Sequence, residues 1–487
     1  MNDPAFKPSE TQMDTTKRLL VDGQWIAGQG PVVPILDKYR LQPGAQVATS
    51  DRAQAGHAVA CAHAAFRAGA PGPFERGAVL ERAAAILEAR ADEFVRTMQM
   101  EAGFTASDAG GEVRRCVQTL KLSAEEARGL AGDVIPLAGA PQQGGRIGFT
   151  IRVPLGVVLA ITPFNSPLNT VAHKIAPAFA AGNAVILKPA SATPLTACLL
   201  AEVLLAAGMP KGFLSVLVGG GQLAEWLIAD ERLRFFAFTG STEVGRRIQQ
   251  AAGLRRTQME LGSIACTILC DDAKLEAALP KVINAGYRKA GQVCTSIQLL
   301  LVHSSIVGEV ESRLGGLVAA LPYGDPYDPK TMVGPLISEQ EAIRVEAWIA
   351  EAIAKGARCL AGGGARNGAV VPPVLLSSID DSMKVGCEEI FGPVVCIVPF
   401  DTLEQAIARV NATPFGLACG IFTNRLDDAF AAARRLEVGG VHVNETSSSR
   451  VDLMPYGGSK DSGFGREGPH YAVREMTEER IVSITLS

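Results

Sequence analysis

The chain is predicted to be an α/β protein built on a doubly wound parallel sheet, and three observations carry that expectation. Between Gly156 and Leu269, short runs rich in β-branched and aromatic residues alternate with helical runs that close on glycine. Strands joined through helices pair in parallel. At 487 residues the chain exceeds one ordinary core, and about 150 residues per domain allows about three domains with a cleft between them. Hydrophobic residues make up 47% and charged residues 20%, the balance of a globular chain and not of a disordered one.

In chain order, residues 1 to about 50 read as a peripheral leader with short strands, and Asp22-Gly23 sets a hairpin turn in VDGQWIAG. From Asp51 to Glu101 the sequence is alanine-rich, with Val59, Ala62 and Phe66, then Leu80, Ala84 and Leu87, at helical spacing. Such helices are expected to lie on a sheet. The alternation then runs GVVLAIT, LNTVAHKIAPAFAAG, AVILKP, PLTACLLAEVLLAAG, FLSVLVG and LRFFAFTGS. A second α/β run from Leu275 to about Asp428 holds Cys294, the segment EEIFGPV and the strand-like VVCIVPF. Gly132 to Pro154 and Ile481 to Ser487 alternate as exposed strands with no evident partner in either domain, and a second subunit is the economical partner.

A net charge of −4 with scattered lysines and arginines gives no basic stripe and argues against a nucleic-acid partner. The polar N-terminus has no apolar leader core, and no stretch approaches the roughly 20 apolar residues of a membrane span, so a cytoplasmic protein without a membrane partner is expected. Ten cysteines without framework spacing suggest reduced thiols. Cys266 and Cys270 lie in an apolar run without a second ligand pair, which points to packing and to no metal.

Several residues carry chemistry. Cys294 follows the glycine-containing turn of GQVCT, and a thiolate is the strongest covalent nucleophile a side chain offers; taken alone, any one of the ten cysteines reads first as a buried structural thiol, and the company Cys294 keeps changes that. Asn165 follows the strand GVVLAIT, where its amide could hold a developing oxyanion, or simply form a turn beside two prolines. Glu260 ends a strand beside apolar residues and reads as a base, or as a solvated strand end. The segment TGSTEVG joins a strand to a helix, a geometry that receives phosphate on backbone N–H groups, although a Ser or Thr cap serves many helices.

Together, PFNSP at 163–167, LKPAS at 187–191, FTGSTEVG at 238–245, MELGS at 259–263, GQVCT at 291–295, EEIFGPV at 388–394 and PYGGSKDSGFGREG at 455–468 resemble the aldehyde dehydrogenase superfamily, from about Val21 to the C-terminus. The resemblance implies NAD or NADP as cofactor, Cys294 as nucleophile, Asn165 with the Cys294 N–H as oxyanion hole, and Glu260 as the base that activates the deacylating water. It further implies a cofactor site of Thr162, Phe164, Lys188, Ser191, Gly240, Ser241, Glu389 and Phe391.

The fold it implies has a Rossmann-like cofactor domain (1–131 and 155–257, with about 446–480 returning to it), a catalytic α/β domain (258–445) and a small β oligomerisation arm (132–154 and 481–487). The arm would make a homodimer or homotetramer.

Two positions depart from the family pattern. Ser263 stands where the family carries glycine, which leaves the base in place. Ser191 stands where NAD-selective members often carry glutamate, so the 2′-phosphate of NADP is tolerated. The tail loop resembles the lactaldehyde, phosphonoacetaldehyde and non-phosphorylating glyceraldehyde-phosphate branch. With Arg114, Arg115, Arg450 and Ser448 expected beside the aldehyde tunnel, it implies a small hydroxylated or anionic aldehyde. Each arginine alone reads as an ion-paired residue, Arg450 with Asp452 being one such pair. A CoA-acylating semialdehyde dehydrogenase is the alternative within the family, and Glu260 argues against it. A non-catalytic protein on the same scaffold is the alternative outside it.

Overall fold

The computed structural model describes residues 16–485. Residues 1–15 of the expected leader, and the last two residues of the expected terminal strand, lie outside the described residues.

The alternation read from the sequence folds into an eight-stranded sheet in the order Gly463–Phe464, Arg256–Glu260, Leu233–Thr239, Val157–Ile161, Ala184–Lys188, Leu214–Val216, Leu19–Val21, Gln24–Ile26. Its five central strands are parallel. Val157–Ile161 and Ala184–Lys188 are buried at every position, as expected of parallel strands covered by helices on both faces. From Val157–Ile161 the chain winds outward through two strands. It then returns to the other side as Leu233–Thr239, so the switch point lies between those two neighbours.

The second sheet has seven strands, in the order Arg358–Ala361, Val374–Ser377, Val394–Phe400, Ile297–His303, Ala265–Leu269, Ala418–Phe422, Gly440–Val443, all parallel except the first pair. Arg256–Glu260 pairs along its whole length in the first sheet, so the chain crosses between sheets after Glu260, three residues later than the predicted boundary at 257/258.

Three further expectations change. Asp22 and Gly23 do form the turn, with φ of 50° and 72°. The hairpin is not peripheral, however, because Leu19, Leu20 and Val21 are buried as they extend the sheet. Helix Arg52–Ala68 lies on the sheet, whereas helix Pro73–Ala89 packs chiefly on helix Ala106–Gly129. The two unpartnered segments find each other: Thr477–Thr485 pairs antiparallel with Arg146–Pro154 over nine residues, and Val134–Ile135 adds a third strand. Ile147, Ile151, Ile481 and Ile484 remain exposed on this small sheet.

Candidate active site

A cavity of about 970 Å³ opens where the parallel strands end, lined by Ile161, Lys188, Thr239 and Glu260 from the first sheet and by Cys294 and Phe391 from segments of the second. Ligands of open α/β sheets bind at the carboxyl ends of strands beside a switch point, and this cavity meets that rule.

The turn before Cys294 is conformationally unusual. Lys289, Ala290 and Gly291 all have positive φ, at 53°, 54° and 71°, a region costly for side chains other than glycine. A Cβ on Gly291 would stand 2.0 Å from the Gly392 carbonyl oxygen, so only glycine fits there. Lys289 is held by contacts. The buried Lys289 ammonium donates to Glu112 Oε1 at 2.7 Å and to the Asn165 carbonyl at 3.0 Å, while Glu112 Oε2 accepts from Ser166 Oγ and from the Asn169 amide. Burial works to raise the Glu112 carboxyl, but Lys289 and Arg115 outweigh it and hold it at about 2.

Among the described cysteines, Cys294 alone lines the cavity. Cys266 and Cys270 are buried in or beside their strand and pushed up to about 12 by burial, which makes them inert packing thiols. Cys294 is itself pushed up to about 11 by burial, against the pull of a hydrogen bond with Tyr456 Oη at 2.8 Å. The Asn165 side-chain amide donates one N–H to the Gln292 carbonyl at 2.8 Å, which ties it to the turn that carries Cys294 and leaves its second N–H for the cavity.

Glu260 is buried, and neither carboxylate oxygen has a hydrogen-bond partner among the described residues. Burial, then the charge of Glu467, hold its carboxyl well above the usual range. Glu467 is the opposite case. Burial opposes its charge, yet Lys174 at 3.0 Å and Arg450 at 2.9 Å keep it ionised at about 2. Two neighbouring carboxylates driven apart in this way mark a site with acid–base work to do.

At the other end of the cavity, Lys188 is buried and makes no ion pair among the described residues, and burial brings it down to about 8. Thr162, Phe164, Gly240, Ser241, Glu389 and Phe391 line the same space. Ser241 caps helix Thr242–Ala252 by accepting from the Val244 amide, so that positive helix end faces the cavity. A Cβ on Gly245 would meet Leu261 at 2.4 Å, so the glycine lets this helix close on the sheet. Glu389 accepts from the Ser263 amide at 2.8 Å and is pushed up to about 7 by burial. Phe391 stands edge-on to Phe164 with ring centres 5.8 Å apart. A buried cation without an ion pair among the described residues, a helix N-terminus and a carboxylate along one cleft fit a dinucleotide. Ser191 does not line the cavity; it is exposed beside Ala190, which does, and donates to the Gly219 carbonyl at 2.9 Å.

The expected substrate residues divide. Arg114 is exposed and does not line the cavity. It adjoins Arg115 in sequence, but neighbours on a helix point about 100° apart. Arg115 lines the cavity with its guanidinium bound to both oxygens of Asp452, at 2.7 and 3.3 Å. Asp452 is therefore the partner of Arg115 and not of Arg450. Arg450 bonds Glu467 and lies over the Tyr456 ring, 3.7 Å from its centre. Ser448 Oγ accepts from Arg288 at 2.8 Å and lies 3.1 Å from Thr295 Oγ1. Arg288 was not singled out from the sequence. It lines the cavity and makes no ion pair among the described residues, and burial depresses it. Tyr456 was also missed, although it sits inside the quoted PYGG motif; Arg288 stands only six residues before Cys294.

Residues 25–482 match the model of the aldehyde dehydrogenase family. The 3-sulfolactaldehyde dehydrogenase of Priestia megaterium is 44% identical over 469 residues, 96% of this chain and 98% of that protein. Aldehyde dehydrogenase 21 from Physcomitrella patens, crystallised with the reaction product succinate, superposes with a TM-score of 0.94 at 37% identity, covering 97% of this chain and 99% of that one. The NADP-dependent glyceraldehyde-3-phosphate dehydrogenase of Bacillus halodurans C-125, crystallised with NADP, has a TM-score of 0.94 at 31% identity and covers 97% and 100%.

Proposed function

Because the chain belongs to the aldehyde dehydrogenase family, we propose that it oxidises a short anionic aldehyde to the carboxylic acid with NAD or NADP, through a thioester on Cys294. A thiol, a tethered amide and an unpartnered buried carboxylate lining one cavity support this reading most directly. An aldehyde panel with both cofactors, followed by absorbance of the reduced nicotinamide, tests it. Absence of turnover with every aldehyde would sink it.

The nicotinamide dinucleotide, when bound, supplies the hydride acceptor. Lys188 would take its adenosine ribose, Ser241 and Gly240 its pyrophosphate, and Glu389 with Phe391 its nicotinamide ribose. Thr162 and Phe164 complete the wall, and the eight-stranded sheet is the cofactor domain. Cys294 adds to the carbonyl carbon, and the free Asn165 N–H with the Cys294 amide holds the oxyanion. Glu260 takes a proton from the water that cleaves the thioester. A carboxylate with no other partner has that role open to it, which favours hydrolysis over transfer to CoA. The seven-stranded sheet is the catalytic domain, and the exposed isoleucines of the small sheet are the surface by which subunits assemble as a dimer or tetramer.

At Ser191 no carboxylate repels a 2′-phosphate. NADP is expected to be used within about a hundredfold of NAD in kcat/KM, since one repulsive contact is worth a few kcal/mol at most. Strict NAD dependence would mean that another residue excludes the phosphate.

The anionic end of the substrate is assigned to Arg288. Arg115 and Arg450 already hold carboxylates, whereas Arg288 makes no ion pair among the described residues, feels Asp108 and Glu112 only through their charge, and reaches the neighbourhood of Cys294 through Ser448 and Thr295. The sulfonate named in one relative and the succinate found in another carry the charge that such a guanidinium recognises. Arg288→Ala is expected to raise KM for 3-sulfolactaldehyde or succinic semialdehyde about 50-fold, and that for propanal less than about threefold, because only the anions lose a charge-assisted contact. Equal losses for charged and neutral aldehydes would remove Arg288 from this role.

A further inference from the structure

Tyr456 Oη lies 2.8 Å from Cys294 Sγ and has no other hydrogen-bond partner among the described residues. Its ring is clamped. The Arg450 guanidinium covers one face at 3.7 Å, and Arg450 is itself fixed by Glu467 at 2.9 Å. The phenol is half-buried and lines the same cavity as the sulfur. We propose that Tyr456 is a catalytic residue whose hydroxyl donates a hydrogen bond to the Cys294 sulfur whenever that sulfur carries negative charge, first as nucleophile and again as leaving group. The inference rests on the reading of Cys294 as nucleophile, and extends it to a residue with no role so far.

Direction of donation follows from the chemistry. Burial, then the neighbouring sulfur, keep the Tyr456 phenol well above its ordinary value, so the tyrosine retains its proton while the sulfur gives one up. The other charged groups facing Cys294 are Glu260 and Glu389, which disfavour a thiolate, and Arg450 and Arg288, which favour it. Arg450 acts across the tyrosine ring, so the hydroxyl is the side-chain donor in direct contact with the sulfur.

The steps balance. The thiol proton leaves to solvent water, and the electron pair left on sulfur accepts the Tyr456 O–H. Attack uses that pair to form the S–C bond. A bound nicotinamide would be the hydride acceptor for the oxidation; water then adds to the thioester and gives its proton to Glu260. The S–C bond then breaks, the pair returns to sulfur, and Tyr456 O–H again meets it as the acid departs. Lowering a thiol pKa by one unit gives about ten times more thiolate near neutral pH and costs only about threefold in intrinsic nucleophilicity. The donor is therefore a net gain for a thiol that burial has raised.

The test is the pH profile of iodoacetamide alkylation at Cys294, followed by mass spectrometry from about pH 6 to about 10 in the wild type and in Tyr456→Phe, which keeps the ring over Arg450. The profile of the variant is expected to move up by about one unit, which makes alkylation about three- to tenfold slower at neutral pH, with the rate recovered at high pH. A ring-fluorinated tyrosine at 456, a stronger donor, is expected to move it down. Superposed profiles, or a slowing that is the same at every pH, would overturn the role of Tyr456. Cys294→Ala in parallel separates the two ideas. An inactive Cys294→Ala with superposed profiles defeats this inference alone, whereas retained turnover in Cys294→Ala defeats the nucleophile reading and this inference with it.

Discussion

Cys294→Ala is expected to lower aldehyde oxidation by more than about a thousandfold, because the covalent route is lost and no second thiol lines the cavity among the described residues. Dinucleotide affinity is expected to hold within about threefold of the wild-type value, since the groups assigned to the cofactor depend on helix Thr242–Ala252 and on strand ends distant in sequence from residue 294. Isothermal titration with NAD and NADP, beside turnover, measures both halves. The fold has little at stake, because the Cys294 side chain gives up one hydrogen bond to Tyr456 and the strained turn before it is held by Gly291, Lys289 and Glu112. Near-normal turnover in this variant would end the thioester mechanism. Lost cofactor binding would show that Cys294 supports the dinucleotide cleft as well.

What could be read in the sequence was local. GVVLAIT and AVILKP declare themselves because a strand buried on both faces has an uninterrupted apolar run. Asp22-Gly23 declares a turn because both residues tolerate positive φ. Cys294, Asn165 and Glu260 each sit beside a strand or turn signal, and the structure brings all three to one cavity. What could not be read was which charges meet. Arg115 and Asp452 are separated by 337 residues, and Lys174 and Glu467 by 293. A sequence gives no register for such pairs. The nearest acid in sequence, Asp452 for Arg450, was therefore the natural and mistaken partner. Arg288, which makes no ion pair among the described residues, becomes visible only when Asp452 and Glu467 have been assigned to Arg115 and Arg450. The depth of the first hairpin was hidden for a related reason. Its three apolar residues are too few to signal a core strand, and their burial comes from joining a sheet whose other strands lie far along the chain.

Glu260→Gln is expected to separate the two halves of the reaction. Acylation and the first hydride transfer need Cys294 and Asn165, so a burst of reduced cofactor close to one equivalent per site should survive. Steady turnover should fall by about 10² to 10⁴, the usual worth of a positioned base. Stopped-flow absorbance reads both phases, and an unchanged steady rate would show that another group activates the water. The pH dependence follows from the raised carboxyl of Glu260. The base exists only above that elevated pKa, so wild-type deacylation is expected to rise with pH through a window above the ordinary carboxylate range, and the residual rate of the variant should lack that rise. Stability runs the other way. The folded protein keeps a proton on Glu260 at pH values where the unfolded chain has lost it, so this group stabilises the fold below its unfolded pKa and loses that contribution as pH rises through its folded pKa. The amide of the Glu260→Gln variant brings no charge to bury, and the melting temperature of that variant is expected to exceed that of the wild type by a few degrees at alkaline pH and to match it in acid. A variant that is both slower and more stable only at high pH identifies Glu260 as a carboxylate kept out of water for catalysis at the expense of the fold. Equal melting temperatures across the pH range would mean that the ionised Glu260 is better solvated than its unpartnered oxygens indicate.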